Sequence, residues 1–117
     1  MTYDNQNIFA KILRGEIPNN TVFEDEHVLV FDDINPQAAV HCLVIPKGAY
    51  ESLTDFSQNA SEDEVMAFSR AIAKVIGIKG LNDDGYRAIC NTNVHGGQEV
   101  PNVHMHILGG EQLPPML

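Results

Sequence analysis

Ser61 followed three residues later by Glu64 opens the one long amphipathic helix in this sequence, and that helix limits the fold more than any other segment. A capping box of this kind satisfies backbone N–H groups that a helix start otherwise leaves unpaired. Behind it Val65, Phe68, Ile72, Val75 and Ile76 recur at helical spacing, giving one apolar face that Gly77 or Gly80 would end. One such face needs a layer to cover. Short strand-like runs supply it: Thr21–Glu24 and Val28–Phe31 around a hairpin turn at 25–27, then Val40–Ile45 stopped by Pro46. Tyr86–Cys90 and Val103–Leu108 follow, separated by a polar, glycine-containing loop over 91–102. A shorter helix over 7–14 precedes them all, with Asn7 as its N-cap, Ile8, Phe9, Ile12 and Leu13 as its stripe, and Gly15 at its end. Helices interleaved with strands on short connections predict an α+β domain with an antiparallel sheet.

The length of 117 residues suits a single domain over 1–117, large enough to bury a core without disulfide or metal staples. Cys42 and Cys90 lie in separate apolar runs, have no metal-site spacing, and read as small buried hydrophobes. No apolar run reaches the ~18 residues of a membrane span. The first residues have neither a basic nor an apolar leader region, so the expected location is the cytoplasm and no membrane partner is expected. A net charge of −9 argues against nucleic acid as partner, because phosphate-backbone binding needs a basic patch. It leaves room for one small phosphorylated ligand held by histidines and backbone N–H groups.

Alternation in the last strand puts Val103, Met105 and Ile107 on one face and His104, His106 and Leu108 on the other. Two imidazoles about 6.6 Å apart on one side of a strand can address two atoms of one phosphate. The same spacing suits two structural histidines on a sheet face, or zinc with His41 as a third ligand. Glycine pairs at 96–97 and 109–110 let backbone approach a ligand closely.

Pro101-Asn102-Val103-His104-Met105-His106-Ile107-Leu108-Gly109-Gly110 resembles the signature of the histidine triad superfamily, with Asn102 at the first triad position. Similar blocks run along nearly the whole chain. They include Asn7–Ile12, Gly15–Pro18, Phe23–Asp25, Phe31–Ala38, His41–Lys47, Gly85–Arg87 and Gly96–Val100. Together they are similar to the bacterial form of the histidine triad nucleotide-binding branch. That resemblance implies a five-stranded antiparallel sheet with two helices, and a homodimer across which the sheet continues, with the helix over 61–77 at the interface.

It also implies chemistry. His104 matches the nucleophile that attacks the α-phosphorus of a purine nucleoside phosphoramidate or acyl-nucleotide, forming a covalent nucleotidyl-imidazole that water then hydrolyses. Its other ring nitrogen would be held by the backbone carbonyl of Asn102. His106 matches the residue that hydrogen-bonds phosphate and leaving group, and His41 one that supports the triad from a neighbouring strand. Gln98 and the backbone around Gly97 and Glu99 match the phosphate loop, with Asn91 beside it. Asp33 matches the ribose carboxylate, with Asp32 a solvated turn charge. Ile8, Phe9, Ile12, Ile34 and Leu43 match the apolar base pocket. No cofactor and no metal is implied. The tail over 111–117 lacks the tryptophan many relatives carry. An alternative of a different class is a nucleotide-binding or scaffold protein whose catalysis has weakened with loss of the first triad histidine.

Overall fold

In the computed structural model, residues 3–116 are described; Met1, Thr2 and Leu117, which belong to the first residues and the tail read above, lie outside the described residues. Asn7 caps helix α1, Ile8–Leu13, its side-chain oxygen accepting from the N–H groups of Phe9 and Ala10. Gly15 then leaves the helix with φ +77°, a conformation that favours glycine. Strands β1, Thr21–Glu24, and β2, Val28–Asp32, form the hairpin, and β3 runs Val40–Pro46. Helices α2, Leu53–Asn59, and α3, Glu62–Ile78, come next. Strand β4, Tyr86–Ile89, helix α4, Asn93–Gly96, and strand β5, Met105–Gly109, complete the order.

The five strands make one antiparallel sheet in the order β1-β2-β3-β5-β4. Its alternation divides the core in two. On one face Val28, Val30, Cys42, Val44 and Ile107 meet Phe68, Ala71, Val75 and Ile76 of α3 and Phe56 of α2. On the other, Leu29, Phe31, Leu43 and Ile45 are covered by Phe9 and Ile12 of α1. The capping box at Ser61 and Glu64 is present in both directions.

Several expectations need correction. Among the described residues there are four helices rather than two. α2 starts from a Ser52 cap and turns only Leu53 and Phe56 onto the core, a stripe too short to read. α4 is a single turn that buries nothing. Helix α3 passes through Gly77 and ends at Ile78 with Lys79 as its C-cap, Gly80 (φ +68°) being the one of the two expected glycines that closes it, while Val65 is turned outward and Ala71 takes its place on the buried face. Strand β5 begins at Met105, two residues late, because the Val103 N–H is committed to the Tyr50 carbonyl at 2.9 Å. His104 therefore lies just ahead of the strand. Asp32 is no free turn charge: it ends β2, pairs with Lys79 at 3.0 Å and accepts from the Cys42 thiol. Burial first, then Asp32, pushes that thiol up to about 12, so Cys42 is inert as a nucleophile. Among the described residues, no helix is long and apolar enough to cross a membrane.

Candidate active site

The site lies on the α1 face, where the sheet centre meets the ends of β2 and β4. Register puts Leu43 opposite His106 and His41 opposite Leu108, so both histidines share that face. The chain leaving β2 stays attached, the Asp33 N–H donating to the His41 carbonyl at 2.9 Å. That bond brings the Asp33 carboxylate to 3.4 Å from His41 Nε2. His104 enters from the other side, its ring 4.9 Å from that of His106 and edge-on to Phe9 at 5.0 Å.

Hydrogen bonds assign the protons on all three rings. The Gln37 N–H donates to His41 Nδ1 at 3.0 Å, so the His41 proton is on Nε2. That Nε2–H meets His106 Nδ1 at 2.9 Å, which leaves the His106 proton on Nε2. At His104 the order reverses: Nδ1–H donates to the Asn102 carbonyl at 2.7 Å, and Nε2 keeps a lone pair. Among the described residues, no fully buried side-chain nitrogen or oxygen lacks a partner, so the unpaired Nε2 of His104 is reached by solvent. Burial lowers all three proton affinities. It dominates at His104, against the Asn102 carbonyl, Asp33 and Glu99, and at His41, against Asp33. His106 falls to about 4 through burial, with repulsion from His104 and His41 added and Asp33 opposing. Near neutral pH the site therefore holds one solvent-reached nitrogen lone pair next to one N–H donor.

Both open onto a cavity of about 510 Å³, a size suited to a small ligand. Its lining includes His41, Asp33, Asn91, Gly97, Glu99, Ile8, Phe9, Ile34 and Leu43, nine of the residues singled out from sequence, besides the two histidines of the last strand. Ile12 instead lines an adjoining apolar cavity of about 290 Å³, together with Ile8, Phe9, Ile34 and Leu43. Ile34 is 89% exposed and forms a rim rather than a wall. Among the described residues, no lysine or arginine lines the first cavity, while Asp33 and Glu99 do.

Gln98 is placed differently from its neighbours. Its amide is used inside the loop, Oε1 accepting from the Asn93 N–H at 2.9 Å and Nε2 donating to the Glu51 and Val100 carbonyls. It braces the turn at Asn93 (φ +55°) and holds the loop against the start of α2. Asn102 is fully buried behind His104. His95 is exposed on α4, and Lys47 pairs with Glu24 at 2.6 Å. Sequence reasoning missed Gln37, whose contribution is a backbone N–H and leaves no side-chain signal, and Asn35, Val100, Asn19 and Asn20 at the cavity walls. Asp33, His41 and His106 also offer three ligand atoms within 4.8 Å of one another. They supply the carboxylate that the spacing of histidines alone did not point to, but in the tautomer held by Gln37 the His41 Nε2 carries a proton where an ion would need its lone pair.

The chain matches the HIT domain family over residues 14–113. An uncharacterised 13.2 kDa HIT-like protein of Azospirillum brasilense is 50% identical over 116 residues, covering 99% of this chain and 95% of the relative. A protein of Escherichia coli named purine nucleoside phosphoramidase is 46% identical over 115 residues, covering 96% and 93%. Among solved structures, a histidine triad protein from Clostridium difficile superposes with a TM-score of 0.88 at 42% identity, covering 99% of this chain and all of that one.

Proposed function

The chain belongs to the HIT family, and from that premise we propose that it is a purine nucleoside phosphoramidase of the nucleotide-binding branch, with Asn102 standing where the first triad histidine would be. The observation that carries the reading is His104: its Nδ1–H is held by a backbone carbonyl while Nε2 presents a lone pair to the cavity. In the proposed reaction Nε2 attacks the α-phosphorus and the bond from phosphorus to the leaving amine breaks. The amine leaves with a proton drawn from solvent. The nucleotidyl-imidazolium keeps its Nδ1–H on the Asn102 carbonyl, which stabilises the positive charge. Water then attacks phosphorus, His104 leaves neutral, and a nucleoside monophosphate and one proton are released.

His106 Nε2–H would hydrogen-bond a phosphoryl oxygen and the leaving group, with His41 fixing its tautomer. Asp33, an acceptor-only group, suits the ribose hydroxyls. The purine would enter between Phe9, Ile12 and Leu43, and the backbone at Gly97 and Glu99 together with Asn91 would meet the phosphate, with Gln98 as brace. We also infer a cytoplasmic homodimer. Val65, Met66 and Ile78 of α3 and Tyr86 of edge strand β4 are large apolar residues left exposed in the single chain.

The test is hydrolysis of a fluorogenic adenosine phosphoramidate, with chelator present, by wild type and His104→Ala. Turnover in wild type that disappears in the variant, with adenosine monophosphate binding retained, supports the reading. An active variant overturns it. An inactive wild type that still binds adenosine monophosphate moves the assignment to a nucleotide-binding protein.

A further inference from the structure

We propose that Tyr3 is a positioning residue for His104, acting through the buried side chain of Asn102. The proposal rests on His104 as the nucleophile. Asn102 is fully buried and every polar group on it is used. Its N–H donates to the Val100 carbonyl at 2.8 Å and its carbonyl accepts the His104 Nδ1–H. Its Nδ2 donates to the Val103 carbonyl at 3.1 Å. Its Oδ1 receives the Tyr3 hydroxyl and, at 3.4 Å, the Asn7 amide.

Tyr3 and Asn102 stand at opposite ends of the chain, so this contact is tertiary. Asn7 also caps α1 and donates to the Asp4 carbonyl at 2.8 Å, which fixes the turn between Tyr3 and the helix. Phe9 follows on the first turn of α1 and packs edge-on against the His104 ring. One N-terminal segment thus holds His104 twice, at its ring through Phe9 and at its Nδ1–H through Asn102.

Without the tyrosine hydroxyl, Asn102 Oδ1 keeps only the long Asn7 contact. A buried amide oxygen so deprived is costly, and a rotation that re-satisfies it gives up the bond to the Val103 carbonyl. The peptide that carries the Asn102 carbonyl then loses its clamp. His104 no longer holds its proton on Nδ1 alone, and the fraction with a free Nε2 lone pair facing the cavity falls.

Two readouts test this on the intact protein. In steady-state hydrolysis, Tyr3→Phe is expected to lower kcat about tenfold per folded site, the size of a small misplacement of a reacting group, with KM within about twofold of wild type. In the Asn102→Ala background, adding Tyr3→Phe should cause no further fall, because the hydroxyl has lost its acceptor. Independently, 15N chemical shifts of the His104 ring should show a single Nδ1–H tautomer in wild type and a mixture in Tyr3→Phe. This arm needs no turnover, so it decides the positioning claim even if Asn102→Ala fails to fold or wild type proves inactive. A Tyr3→Phe protein with one Nδ1–H tautomer and wild-type kcat overturns the proposal. So does a loss of activity that follows only the unfolded fraction.

Discussion

Acidification from pH 7 to pH 5 should weaken this fold through its buried imidazoles, before its carboxylates begin to matter. Burial is the leading reason His106 takes up a proton only near pH 4, and it lowers His41 and His104 in the same direction. An unfolded histidine titrates near pH 6.5, so below that value the unfolded chain binds more protons than the folded one and stability falls as pH falls. This is opposite in sign to a histidine whose proton affinity is raised by an acidic partner. For a group at about 4 when folded and ~6.5 when unfolded, the loss accumulated by pH 5 is about 2 kcal/mol before solvent screening. That is a sizeable part of the 5–15 kcal/mol typical of a domain. Below about pH 4 the His106 contribution levels off, so the window between pH 5 and 7 isolates the imidazoles.

The assay is urea unfolding at pH 5, 6 and 7, with chelator, for wild type and His106→Gln. Wild type should lose about 1–2 kcal/mol across the window once solvent screening of the half-buried ring is allowed for, and the variant should lose correspondingly less over the same interval. Wild-type stability that stays flat, or a variant with an unchanged slope, would refute the argument that burial keeps these rings neutral.

Asp33→Asn should raise KM for a ribonucleoside phosphoramidate about 10- to 100-fold, the worth of charged hydrogen bonds to hydroxyls, and leave a 2′,3′-dideoxy analogue almost unaffected. Equal effects on both substrates would remove Asp33 from the ribose role. Two glycines should respond with opposite signs in urea unfolding. A Cβ at Gly77, inside α3, meets nothing within 4 Å, so Gly77→Ala should stabilise by about 0.5–1 kcal/mol. A Cβ at Gly110 (φ +80°) would stand 2.9 Å from Val40 Cγ2 and 3.3 Å from the Val40 backbone nitrogen, so Gly110→Ala should destabilise by about 1–3 kcal/mol. Matching signs would contradict the local geometry.

What was legible in the sequence had a local cause. The α1 cap at Asn7, the exit at Gly15, the hairpin and the capping box of α3 are each set by residues within four positions of one another. What was not legible depended on distant partners or a single anchor. Helix α2 has Phe56 as its one fully buried residue, with Leu53 packed beside it, and the late start of β5 follows from one bond between Val103 and Tyr50. The site shows the same division. His104, His106, His41 and Asp33 follow from the motif blocks. The backbone N–H of Gln37, the inward-turned amide of Gln98 and the Tyr3 contact to Asn102 exist only once the chain is closed.

The protons of the three imidazoles are set at both ends by backbone, the N–H of Gln37 and the carbonyl of Asn102, rather than by side chains. A side chain can therefore change at position 102 without removing the group that orients His104, provided the peptide itself stays in place. Its place is held from outside the site. The Val103 N–H bonds to the Tyr50 carbonyl, and the Tyr50 hydroxyl donates to the Glu64 carboxylate at 2.9–3.0 Å. Glu64 is also the carboxylate of the α3 capping box, accepting from the Ser61 N–H at 3.1 Å. The residue pair that starts the longest helix thus steadies, through Tyr50, the segment that presents His104. In this chain the feature that most constrains the fold and the one that orients the candidate nucleophile are joined by two consecutive hydrogen bonds, so loosening the helix start should be felt at the imidazole.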